Sequence, residues 1–83
     1  MDRDAAIRRI KPNLRRRVML TFADGEEIEA ELAGIDEREE DFTFVVRAVK
    51  SKNASGSPYT AIGTTYIAPF GDLLDIQPVS AQS

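Results

Sequence analysis

The sequence predicts an all-β domain: a small five-stranded, strongly bent barrel with a short N-terminal α-helix. Three observations carry that expectation. Apolar and polar residues alternate over several short runs, Asp24-Gly25 separates the first two runs as a hairpin turn would, and helical spacing occurs only at the start, at Ile7, Ile10 and Leu14. Closure into a barrel is expected because an open five-stranded sheet leaves two unpaired edges, which a small protein must protect from other chains.

The helix is expected over about residues 4–10, with Asp4 as its N-cap, and Pro12 stops it near Ile10 because proline disfavours helical geometry in the residue before it. The first strand, about 16–23, places Val18, Leu20 and Phe22 on one face and Met19 and Thr21 on the other. Glycine accepts the positive φ of a tight turn, so Asp24-Gly25 leads directly into a second strand, about 26–35. There Ile28, Ala30 and Leu32 alternate with Glu27, Glu29 and Glu31, which fixes the register with the glutamates in water, where they discourage edge-to-edge pairing. The run "DEREED" makes a polar connection to a third strand, about 41–50, whose two faces are both partly apolar (Phe42, Phe44, Val46 and Ala48 against Val45 and Val49). The Ser/Gly/Pro/Asn-rich "SKNASGSP" is a surface loop, a fourth strand spans about 59–68 with Gly63 as a bend, and a corner at Pro69-Phe70-Gly71 leads into a fifth, about 72–78. The domain is thus expected over 1–79, with 80–83 as a frayed tail.

Composition narrows the function classes. A chain of 83 residues forms one domain that buries only about 60% of the surface its unfolded chain exposes. It contains no cysteine and no histidine, which removes disulfides, thiolate nucleophiles, the usual zinc sites and imidazole catalysis. No enzyme activity and no cofactor is expected. Neither a membrane-spanning run nor an apolar signal core is present, so a cytoplasmic location with no membrane partner is expected. The net charge of −3 is unevenly spread: Arg3, Arg8, Arg9, Lys11, Arg15, Arg16 and Arg17 crowd the start, and acids dominate from Asp24 to Asp41. Such a dipolar molecule suits an anionic partner or a copy of itself.

The stretch "VMLTFADGEEIEAELAGID", ending at Asp36, is an alternating strand, an Asp-Gly turn, an alternating strand and an aspartate, and "PFGDLLDI" is a short strand pair joined by a Gly-Asp turn. In this order, behind a short helix, they resemble the two motifs of the Sm-like (LSm) family of SH3-like barrels, and the chain is similar to a divergent member over nearly its whole length. The resemblance implies a homo-oligomeric ring in which the fourth strand of one subunit pairs with the fifth of the next. It makes Tyr59, Ile62, Tyr66, Leu73, Leu74 and Ile76 the expected interface. It also places Asp36, Phe42, Thr43, Phe70 and Gly71 where RNA-binding members form their base pocket. Phe70 stands where that pocket uses arginine, and Phe42 or Thr43 where it uses asparagine, so the base-reading chemistry is missing, and Phe70 reads as a core or interface aromatic in preference to a base-stacking one.

The remaining candidates follow from charge. Arg8, Arg9, Lys11, Arg15, Arg16 and Arg17 are the candidate contacts to RNA, although no aromatic residue is interleaved with them. Asp36, Glu39 and Asp41 lack the alternation and the glycine of a calcium loop and read as solvated, so no metal site is expected. Asn53-Ala54-Ser55 fits a glycosylation triplet only in a secreted chain. Tyr59 and Tyr66 read as cross-strand packing partners. Two functions stand out: a ring that binds RNA through its basic face, or an interaction or structural oligomer that has lost the base pocket and meets an unknown protein partner.

Overall fold

A computed structural model describes residues 1–51 and 61–79. Helix α1 (Arg3–Ile10) continues into a 3-10 turn (Lys11–Asn13), followed by strands β1 (Arg17–Phe22), β2 (Glu27–Asp36) and β3 (Asp41–Ser51). Strand β4 (Thr65–Pro69), a 3-10 turn (Phe70–Asp72) and strand β5 (Leu73–Pro78) complete it. The helix begins earlier than the sequence implies, because Asp2 and not Asp4 is the cap: its Oδ1 accepts from the Ala5 N–H at 2.8 Å, and Asp4 falls in the first turn.

The five strands form one antiparallel sheet in the order β4-β3-β2-β1-β5. The expected barrel is corrected by that order. Among the described residues β4 and β5 are the two edges and do not pair with each other, so the sheet is open. The 3-10 turn Phe70–Asp72 joins the edges at one corner, but the N-terminal segment and not β4 reaches β5: the Arg9 Nη2 donates to the Ile76 carbonyl and to Asp75 Oδ1, and the Met1 nitrogen donates to the Leu73 carbonyl at 2.6 Å. β4 is also shorter than the expected 59–68. Residues 61–64 form a turn in which Gly63 has φ 86°, and 59–60 lie outside the described residues, as do the "SKNASGSP" loop beyond Ser51, Asn53 and the tail 80–83.

Period-two burial makes the core. Val18, Leu20 and Phe22 of β1 face Ile28, Ala30 and Leu32 of β2, Phe42, Phe44 and Val46 of β3, Ala68, Leu73 and Ile76, and α1 adds Ala6 and Ile10. The centre is aromatic: Phe44 lies 5.9 Å from Phe22, 5.3 Å from Phe42 and 6.1 Å from Tyr66, and Phe42 stacks on Phe70 at 6.5 Å between ring centroids. On the other face, Glu29 pairs with Arg17 and Lys50 across the neighbouring strands, and Glu31 pairs with Arg47. Glu29 and Glu31 are therefore members of a cross-strand charge ladder and not merely solvated, whereas Glu27 is exposed.

One acid breaks the pattern. Glu26 has the same parity as Ile28, Ala30 and Leu32, so its side chain points into the core, where it is fully buried with neither carboxylate oxygen hydrogen-bonded among the described residues. Burial pushes its pKa above the ordinary 4.5, and the neighbouring Asp24 carboxylate adds to the rise. With the folded-state value raised, the contribution of Glu26 to stability is greatest below 4.5 and is lost as pH rises through the raised value, where the carboxyl must ionise. Urea denaturation at acid and alkaline pH is expected to show this loss for the wild type. Glu26→Gln removes the part of the pH dependence due to this residue, and Glu26→Met stabilises the fold by about 1–3 kcal/mol by deleting buried acceptors that have no donor.

Candidate functional site

The six basic residues singled out in the sequence do not form one free face. Arg9 binds Asp75 at 3.1 Å, Lys11 binds Glu37 at 2.5 Å and Arg17 binds Glu29 at 2.5 Å. Hydrogen bonds from Gln77 first and Arg9 second hold the Asp75 carboxyl below its usual range, and a hydrogen bond from Lys11 does the same for Glu37. Arg8, Arg15 and Arg16 stay exposed with no ion pair among the described residues. Arg15 adopts a left-handed φ of 67° while its N–H donates to the Leu32 carbonyl at 2.7 Å, so this position turns the chain into β1.

The residues matched to a base pocket are used in other ways. Phe42 and Phe70 are buried core rings stacked on each other, which leaves Phe70 no face to offer a base. Thr43 is half-buried on the outer face of β3, Gly71 is exposed in the corner turn, and Asp36 Oδ1 accepts from the N–H groups of Arg38 and Glu39, closing the β2–β3 turn. The expected interface is split as well. Leu73 and Ile76 belong to the chain's own core, Tyr66 packs on Phe44, and Ile62 and Leu74 are exposed. Tyr59 lies outside the described residues.

The structure offers instead a contrast between its two edges. Alternation in an antiparallel ladder dictates which backbone groups face the neighbouring strand. On β5, the Val79 N–H donates to Arg17, so by alternation Gln77 and Asp75 turn their backbone to β1 and Ile76 turns outward. That outward carbonyl is the one Arg9 caps, and Pro78 supplies no donor two residues on. Edge β5 is capped at Ile76 by a guanidinium and interrupted at Pro78 by a residue with no N–H.

Among the described residues, edge β4 has no such cover. The Val46 N–H donates to the Thr64 carbonyl at 3.1 Å and the Phe70 N–H to the Glu40 carbonyl at 2.8 Å, so by the same alternation Tyr66 and Ala68 bond to β3. Thr65 and Ile67 then turn both N–H and C=O away from the sheet, and no described residue meets them. Their side chains share the outer face with Pro69, and Ile67 is 64% exposed. The strand "TYIAP" carries no charge, unlike β2. Pairing places Asp41, Thr43 and Val45 of β3 beside Pro69, Ile67 and Thr65 on that face. The signal for this edge was present in the sequence as a β-prone, uncharged run ending in proline, but its openness depends on what lies beside it.

Among the described residues no group of three or more metal-binding side chains gathers, so the acidic turn has no chelating geometry. No helix among them is long and apolar enough to cross a membrane, a statement that does not extend to β-strand spans.

Two substitutions test these placements. Phe70→Ala is expected to lower stability by about 3–5 kcal/mol in chemical denaturation, the cost of emptying a buried ring site; an unchanged stability would contradict its core role. Arg9→Ala exposes the Ile76 carbonyl and is expected to lower stability by roughly 1 kcal/mol. The same variant should also associate in a concentration-dependent way in light scattering, because it carries two open edges; a strictly monomeric Arg9→Ala would mean that β5 is guarded by something else. Comparison of the chain with models of known protein families, with curated proteins and with solved structures finds no match. The expected Sm-like ring is therefore corrected on two grounds: no relative supports it, and the open sheet has one edge capped where head-to-tail pairing needs two free ones.

Proposed function

We propose that this protein is an interaction module that binds an extended segment of a partner protein by strand addition to β4. The observation that carries this reading is the unpaired, outward-facing backbone of Thr65 and Ile67 on an uncharged edge, set against a β5 edge that is capped. In strand addition, main-chain hydrogen bonds provide affinity and alternate side chains provide selectivity. Here Thr65 and Ile67 supply donors and acceptors, and the Ile67 side chain supplies an exposed apolar contact.

A partner's segment fits this edge better than a second copy of the chain does. Pairing β4 with itself about Ile67 would bring two Pro69 residues into the new ladder, each opposite a Thr65 carbonyl that then lacks its donor. A foreign strand meets only one proline. Proline at an edge weakens self-pairing in this way without closing the edge to others.

The test uses a neutral probe, the peptide acetyl-Thr-Val-Thr-Val-Thr-Val-Thr-amide, titrated into the isotope-labelled protein. Chemical-shift changes are expected at Thr65 to Pro69 and at the facing part of β3. They should disappear when the peptide is N-methylated on alternate residues. Ile67→Pro removes one outward N–H and leaves the bonds to β3 in place, so it should abolish binding while the thermal unfolding curve stays that of a folded protein. Shift changes elsewhere, or indifference to N-methylation, would overturn the reading.

A further inference from the structure

The β4 edge has a polarity that its own sequence does not. At the Pro69 end the β2–β3 turn brings together Asp36, Glu39, Glu40 and Asp41, with Arg38 the one base among them, since Glu37 is taken up by Lys11 and Arg3. Asp41 is the cross-strand partner of Pro69 and shares its outer face, and the Glu40 carbonyl holds the Phe70 N–H at 2.8 Å, which ties this turn to the end of β4. Among the described residues none of Glu39, Glu40 and Asp41 forms an ion pair. At the Thr65 end the nearest outer-face charge on β3 is Arg47, which Glu31 holds at 2.9 Å from the opposite side. A strand laid along β4 therefore meets uncompensated negative charge at one end and a neutralised pair at the other.

Resting on the strand-addition reading, we infer that the partner's segment is basic at its leading end, pairs antiparallel to β4, and carries Arg or Lys two residues before the apolar residue that sits on Ile67. The geometry sets this spacing. Every pairing in the sheet is antiparallel, and antiparallel ladders are the more stable kind. A strand running against β4 places its residue j beside Pro69, j+2 beside Ile67 and j+4 beside Thr65, all with side chains on the outer face. The Cβ of residue j stands about two strand spacings from Asp41, roughly 10 Å, with only the small ring of Pro69 between them. An arginine or lysine arm spans that gap, and a valine or isoleucine at j+2 covers Ile67. A β-branched residue or threonine at j+4 faces Thr65, with Val45 behind it. Arginine also brings a planar fork that a carboxylate accepts in two parallel bonds.

Three peptides of equal length decide the matter: the neutral valine-threonine probe, the same peptide with Arg two residues before its central Val, and one with Arg two residues after it. The Arg-leading peptide is expected to bind about two- to fivefold more tightly than the neutral one at low salt, the range of a single cross-strand charge pair. That gain should vanish with Asp41→Asn and shrink as salt rises, and the Arg-trailing peptide should bind no better than the neutral one. Equal affinity of the Arg-leading and neutral peptides overturns the charge inference and leaves strand addition standing. A preference for the Arg-trailing peptide overturns the antiparallel direction. Failure of all three to perturb β4, or self-association through β4 in their place, overturns the underlying reading as well.

Discussion

An open sheet ends in two rows of unpaired backbone groups, and among the described residues of this protein only one of them is capped. The Arg9 guanidinium does that work on β5: from helix α1 it reaches the outward carbonyl of Ile76 and the carboxylate of Asp75 together. A charge-assisted contact of this kind is stronger than a neutral hydrogen bond, and it ties the helix to the strand it caps. The position of α1, the burial of Ala6 and Ile10 beneath it and the closure of β5 are one arrangement seen from three sides. What remains among the described residues is β4, and the functional reading follows from no described residue covering it.

The core explains why the chain tolerates that exposure. Phenylalanines from β1, β3 and the corner turn meet in one aromatic centre, and period-two alternation from β1, β2 and β3 closes around it. β4 contributes a single fully buried side chain, Ala68, and half-buried Tyr66. An edge strand held by its backbone and by little apolar burial can accept a neighbour without disturbing what lies behind it. Glu26 is the exception to this economy, an acid inside the apolar face beside the hairpin turn, with a raised pKa and no hydrogen-bond donor among the described residues.

Local pattern carried much of the fold, because alternation and turn chemistry act between near neighbours. The β1–β2 hairpin, its Asp24-Gly25 turn and the inward faces of β1, β2 and β3 can be read directly from the chain. Even Glu26 was legible in principle: it stands in step with Ile28, Ala30 and Leu32, and attention to the outward glutamates hides it. Contacts between distant residues were not legible. Nothing near Arg9 in sequence announces that it will meet Ile76, nor that Leu73 and Ile76 will fill the chain's own core and not an interface. The barrel expectation failed for the same reason, since closure depends on whether β4 and β5 meet, and in the strand order these two lie at opposite ends of the sheet. The candidate site shares this character: the β-prone run at β4 is visible in the sequence, but its freedom is a property of the whole sheet.

The most direct test of this account is amide hydrogen exchange in the unliganded protein, resolved residue by residue along β4. The N–H groups of Tyr66 and Ala68 face β3 and should exchange slowly, and those of Thr65 and Ile67 should exchange at rates close to those of an unprotected backbone. That alternation would establish β4 as an open, ordered edge. Protection at Thr65 and Ile67 equal to that of their neighbours would mean that the edge is already occupied in the free protein, and would contradict the claim that it awaits a partner strand.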